Sequence, residues 1–404
     1  MEFMVRIARS VSCVLVISIS ACTSGRPALT GDTALASSSA GSGSPKCPDW
    51  GCDTNDATVD ADLFFHDLSV CGQRNTAGLN LVGFVGPQGQ QLSLAVIGDE
   101  LVGVDPRRLT PSSTGQLRGQ ELVGTKLILA SARPTPTNPD TSLEIEIAAV
   151  GATTYWVGEP GSVPTYVLKW RGDHNKELQS LCGRPRAAVP GGKPWVLLPG
   201  DWTDKVGTDA TIALVFAGDA YEGNGKSIKD VTEPLTRWST PAHDGSPGPQ
   251  TKRGVCWFNV ACAGSAISKM HLLRHTTAGS DASHQTDKGQ RTTMLKMITD
   301  DVCGTGKSFT VNGEKVFYED MQLWHPFPAA PRSIESLWTR DGAMCLGEAR
   351  REREDPSVTA RIHEECARAN HPLPPCPITA SNYRKWPGLA VSGHYGYGLS
   401  ANPP

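Results

Sequence analysis

The sequence predicts an α+β fold that is predominantly β. Antiparallel strands fill the N-terminal and middle regions, a few short helices occupy the C-terminal third, and disulfides hold the chain together. Three observations carry this expectation. Short apolar runs, several strictly alternating, recur between Gly, Pro and Asp turns from residue 78 onward. Helical spacing enters only after residue 260. The chain holds 12 cysteines, which is dense usage for 404 residues and fits an oxidising compartment.

The strands read in order. Leu79–Val82, Leu92–Ile97, Lys126–Ala130 and Leu143–Ile147 are bounded by turn residues, and the last alternates Leu, Ile and Ile with Glu. Between them Leu117, Leu122 and Leu127 recur every five residues, with Gly119 and Gly124 two places after the first two. That is too short for a solenoid stack and reads as one strand-and-turn decoration. Thr153–Val157, Thr165–Trp170, Trp195–Leu198 and Ala210–Phe216 continue the series in β-branched and aromatic residues. A Pro/Gly/Ser-rich connection follows over 238–252.

Helices are expected at Ala261–His275 and Gly289–Val302, the latter with Met294, Met297, Ile298 and Val302 on one face. A third is expected to open at Asp355-Pro356, with Pro at the first helical position, and to run to about Asn370. Asn312-Gly313 inside Phe309–Tyr318 suits the two positive-φ positions of a hairpin turn.

The amino terminus carries an address. Arg6 and Arg9 precede an apolar stretch, Val11–Ile19, which is too short to span a bilayer as a stable helix. Ser20, Ala21 and Cys22 then close it in a way that resembles the lipobox of bacterial lipoproteins. The resemblance implies diacylglycerol on the Cys22 thiol, cleavage before it and acylation of the new amino terminus. Such a protein is exported and meets the membrane through its acyl chains, palmitate among them. With Thr23 rather than Asp next, the outer membrane or cell surface is its place in a two-membrane host.

Residues 1–21 are thus expected to be the signal peptide and 22–46, rich in Ser, Gly, Ala and Thr, a flexible tether. A Cys-containing β-rich region is expected over 47–150, a second domain over 151–376, and an irregular tail over 377–404. Removing the signal takes away Glu2, Arg6 and Arg9 and moves the formal charge from −3 to −4. A near-neutral chain without a basic stripe excludes nucleic acid as a partner.

Cys13 leaves with the signal and Cys22 goes to lipid. The disulfide candidates are then Cys47, Cys52, Cys71, Cys182, Cys256, Cys262, Cys303, Cys345, Cys366 and Cys376. Their connectivity is not readable from spacing. No C-x2-C knuckle exists to hold structural zinc. Asp49, Asp53, Asp56, Asp60 and Asp62 present either calcium ligands or a solvated acidic turn, and their spacing fits no EF-hand loop.

The segment Asp300, Asp301, Val302, Cys303, Gly304, Thr305, Gly306, Lys307, Ser308 ends like a phosphate-binding loop, but Asp301 stands where that loop needs Gly. A helix precedes it and a hairpin follows, the reverse of what a nucleotide requires. The same segment resembles the core of the ADYC domain, named for Ala-Asp-Tyr-Cys-Gly. Asp301, Cys303, Gly304 and Gly306 match that core, and Asp300 and Val302 replace its Ala and Tyr. Cys262–Lys269, Thr293–Gly306, Phe309–Gly313 and Leu337–Cys345 fall in the family's order, over roughly residues 160–350 and most specifically over 255–350. The resemblance implies an exported lipoprotein of the kind found in myxobacteria and related bacteria. It implies architecture and location rather than chemistry.

No catalytic motif and no cofactor site is identifiable. There is no G-x-S-x-G, and a triad drawn from His243, Asp244 or His325 has no sequence support. His271 and His275, four apart on an expected helix, read as a metal pair or as exposed capping residues, without the Glu of a metalloprotease. Trp156, Trp170, Trp195, Trp202 and Trp238 read as core packing or as a sugar-stacking platform. The expected function is a structural, adhesion or ligand-binding module whose partner is an envelope protein or glycan. The alternative is an exported hydrolase of polysaccharide or peptide.

Overall fold

Alternating apolar and polar residues build strands that each bury one face, and a continuous apolar run marks a strand buried on both. Both kinds occur in the computed structural model, which describes residues 65–110, 113–132, 141–155, 161–173, 177–182, 212–222, 228–229, 256–262, 265–277, 280–310, 317–319, 333–377 and 390–394. The expected signal peptide, tether, acidic run, Cys22, Cys47, Cys52, the Trp195–Leu198 strand, the 238–252 connection and the Asn312-Gly313 turn lie outside the described residues.

Eight strands form the main sheet, all pairs antiparallel. They are β1 (Asp67–Ser69), β2 (Leu79–Val85), β6 (Lys126–Ser131), β7 (Ser142–Thr154), β8 (Ser162–Gly172), β9 (Gln179–Ser180), β10 (Ile212–Ala217) and β11 (Trp257–Cys262). Their order is β1-β11-β10-β8-β7-β6-β2, with β9 on β8. The two ends of this path meet through Asn75: its Nδ2 donates to the Asp67 carbonyl at 3.0 Å and its Oδ1 accepts from Leu79 N–H at 2.9 Å. A second sheet, β3 (Ser93–Ile97), β4 (Glu100–Thr110) and β5 (Ser113–Leu117), closes over one face. Leu92, Leu94, Leu101 and Leu117 from that part of the chain share one core with Leu127, Leu129, Leu143, Ile145 and Ile147. Leu122 joins them, so all three leucines of the five-residue repeat point inward.

In β10 successive residues serve two cores. Ala213 and Val215 face the leucine-rich side, whereas Leu214 and Phe216 face a second core made with the helices. Those helices are α1 (Ala266–Leu272), α2 (Lys288–Thr299) and α3 (Val358–Arg368). A four-stranded sheet, β12 (Phe317–Glu319), β15 (Ala390–His394), β13 (Ser333–Thr339) and β14 (Gly342–Ala343) in that order, completes this side. Trp338, with its Nε1 bonded to Ser392 Oγ at 2.8 Å, lies at its centre.

The strands expected at Leu79, Leu92, Lys126, Leu143, Thr165 and Ala210 are present, and the architecture is β-rich and antiparallel with few helices among the described residues. Several boundaries need correction. The stretch expected as helix from Ala261 begins as β11, because Ala261 and Cys262 pair with Leu214 and Ala213; α1 starts only at Ala266, capped by Ser265. The third helix does not place Pro356 at its first position. Asp355 Oδ1 accepts from Ser357 N–H at 3.1 Å, and the helix starts one residue later at Val358. The division expected at 150/151 falls inside β7, whose pairing with β8 runs unbroken in the chain from Val150 to Gly151.

Four disulfides lie among the described residues: Cys71–Cys256, Cys182–Cys262, Cys303–Cys366 and Cys345–Cys376. The Cys303 partner sits on α3, so this bridge joins the end of one helix to another. Among the described residues no helix is long and apolar enough to cross a membrane.

Candidate functional site

The motif segment forms where α2 stops. Asp287 opens that helix, accepting from Gln290 N–H while Gln290 answers to the Asp287 backbone. Asp300 ends it in the left-handed conformation, φ 54°, a position that favours Gly and tolerates Asp. Arg350 covers the free carbonyls at the buried helix end. Its Nη2 donates to Met297 O at 2.9 Å and its Nη1 to Ile298 O at 3.3 Å. The same guanidinium grips Glu335 through Nε and Nη2, at 3.1 and 3.0 Å, and lies 3.7 Å from Asp300. A buried cation between two carboxylates at a helix C-terminus satisfies both the carbonyls and the helix dipole.

Asp301 is fully buried. Lys296 Nζ meets its Oδ2 at 2.9 Å, and Gly306 N–H donates to the same carboxylate at 3.0 Å. The carboxylate therefore caps a backbone group and neutralises an internal ammonium. The pairing with Lys296 has no counterpart in the sequence motif, and the bond to Gly306 N–H gives the carboxylate a structural role. Val302 buries its side chain in the helical core, and its carbonyl accepts from Ala343 N–H at 2.9 Å. Cys303 is oxidised. Gly304 and Gly306 both adopt positive φ, 69° and 85°, so their glycine character is dictated by backbone conformation.

A second constellation forms at the β3–β4 turn. The carboxylate of Asp99 accepts hydrogen bonds from Tyr155 OH and Ser280 Oγ, and His271 Nε2 lies 3.0 Å from its Oδ1. His271 stacks flat on Phe216, with centroids 3.7 Å apart and planes at 10°. Arg274 lies over the Tyr155 ring at 4.1 Å and pairs with Asp281 at 2.7 Å. Burial acts to raise the Asp99 pKa, but His271, Ser280 and Tyr155 outweigh it and hold the carboxyl below its ordinary range. Burial and the Asp99 charge push the Tyr155 phenol up. Asp281, despite some desolvation, is brought down to about 2 by Ser283 and His284.

A third set fastens β1. Arg291 clasps Asp219 through Nε and Nη2 at 2.6 and 2.8 Å. Asn259 links Asp219 O and His66 O, and Asp67 Oδ2 accepts from Tyr221 N–H at 2.9 Å. Burial raises the Asp67 pKa against the opposing pull of His66.

The expected exposed or capping roles of His271 and His275 are not what the fold provides. Both are buried, at 1% and 2% exposure, His271 between Phe216 and Asp99. Among the described residues no group of three or more His, Cys, Asp and Glu is gathered to hold a metal ion. Trp170 packs against the leucine-rich core with Phe65 5.8 Å away; Trp156, Trp195, Trp202, Trp238, His243, Asp244 and His325 lie outside the described residues. Sequence reasoning missed Asp99, Lys296, Glu335 and Arg350, each paired with a residue that only the tertiary fold or a helix end brings near. The usable hint was chemical: Lys296 stands between Met294, Leu295, Met297 and Ile298, an apolar run in which a lone cation needs a partner.

The motif turn, the antiparallel sheets and the four bridges define a disulfide-crosslinked, predominantly β, α+β type of protein. The chain belongs to the ADYC domain family, whose model matches residues 119–352, more than half of its length. Comparison with curated proteins and with solved structures found no match.

Proposed function

We propose that this protein is an exported, lipid-anchored bacterial envelope protein of myxobacterial type, held at the outer membrane or cell surface by acyl chains on Cys22. Its folded part is a non-catalytic structural, adhesion or ligand-binding module. One observation carries the non-catalytic reading: the family motif spends its chemistry internally. The Asp301 carboxylate is committed to Lys296 and Gly306, and the Cys303 sulfur to Cys366. A nucleophile or general base needs a reachable lone pair, and neither side chain offers one to a substrate. Four disulfides support export, since such bonds persist in oxidising compartments. The lipobox ending at Cys22 supports the anchor.

One observation favours the hydrolase alternative: Asp99, His271, Tyr155 and Ser280 converge, and perturbed titration accompanies active sites. Against it, Ser280 bonds the carboxylate rather than the imidazole, and His271 is sealed under Phe216. The test pairs labelling with turnover. Labelled fatty acid is expected in the native protein and not in Cys22→Ser. The purified protein is expected to bind a member of a glycan or peptide library without cleaving it. Equal labelling of both forms would remove the anchor, and turnover abolished by His271→Gln would replace the module with an enzyme.

A further inference from the structure

We draw no further inference here: the strongest candidate, the side-chain cluster at the β3–β4 turn in which Asp99 meets His271, Tyr155 and Ser280, belongs to the constellation already described and spends its carboxylate on its own neighbours, with nothing in the structure to show what ligand it would take.

Discussion

Gly304 and Asp341 approach so closely that a Cβ on the glycine would lie 2.1 Å from the Asp341 carbonyl oxygen. The opposing Gly342 is also close, its Cβ position lying 2.7 Å from Val302 O and 2.9 Å from Gly304 N. Two backbones touch here, with Ala343 N–H bonded to Val302 O. The family glycine is thus fixed twice, by its positive φ and by the strand turn pressed against it.

Gly304→Ala is therefore expected to cost roughly 3 kcal/mol or more, combining left-handed strain with a backbone clash that no rotamer relieves. Gly89→Ala makes the control. Its φ is 78° but nothing lies within 4 Å of the added carbon, so only the conformational cost of about 1 kcal/mol applies. Urea melts of the two variants check this. Equal losses would show that the close approach contributes nothing.

Asp301→Asn leaves the Lys296 ammonium buried without its counter-charge, and a loss of about 3–5 kcal/mol is expected. Asn still offers an oxygen to Gly306 N–H, so the deficit traces to charge. Adding Lys296→Met to Asp301→Asn should recover most of it, because a neutral pair avoids the desolvation cost. A double variant as unstable as Asp301→Asn alone would mean that the carboxylate matters for its turn and not for the lysine.

Acid is expected to act on three carboxylates in two directions. Asp99 and Asp281 have folded pKa values below the ordinary 3.8, the latter about 2. Their contribution is present above 3.8 and is lost as pH falls through the folded values. Asp67 is raised by burial, so its contribution is present below 3.8 and is lost as pH rises through its folded value. Asp67→Asn should match or exceed the parent at about pH 7, with the gap closing near about pH 3, whereas Asp281→Asn should flatten the acid limb. Urea midpoints across that range measure both. An Asp67→Asn protein weaker than the parent at neutrality, and level with it in acid, would reverse the assignment.

Much of the architecture was legible. The Ala210–Phe216 run announced a strand, which the structure places at Ile212–Ala217 and buries on both faces, and alternation from Leu143 to Ile147 announced another. The β11 strand escaped for a physical reason. All six of its residues are buried, so it shows no alternation, and α1 follows closely at Ala266, so the helical pattern reads back into the end of the strand. The motif's matches were legible residue by residue, but their purpose was not. Asp301 finds Lys296 because the left-handed Asp300 turns the chain back on its own helix. Asp99 finds His271 only because the β3–β4 turn lands at the end of β10, with Ala217 N–H bonded to Gly98 O at 2.9 Å, and His271 of α1 lies beside it.

The span matched by the family model is expected not to fold alone. Residues 119–352 exclude β1 and β2, which pair with β11 and β6, and α3 and β15, which carry part of the second core and the centre of the small sheet. Cys256, Cys303 and Cys345 would each lose a partner, leaving only Cys182–Cys262 inside the span. A 65–394 fragment should give a cooperative melt, and a 119–352 fragment should not. A cooperative transition in the shorter piece would refute the dependence.

The bridges also dictate a timetable for assembly. A chain emerging amino end first presents its described cysteines as Cys71, Cys182, Cys256, Cys262, Cys303, Cys345, Cys366 and Cys376. Joining each to the next arrival would give Cys71–Cys182, Cys256–Cys262, Cys303–Cys345 and Cys366–Cys376, and none of these is native. The native links interleave in two pairs instead. Oxidation that outruns folding thus yields a knot of wrong links, and maturation rests on thiol–disulfide exchange, by an isomerase or a mild redox couple, until strands and helices have chosen the partners.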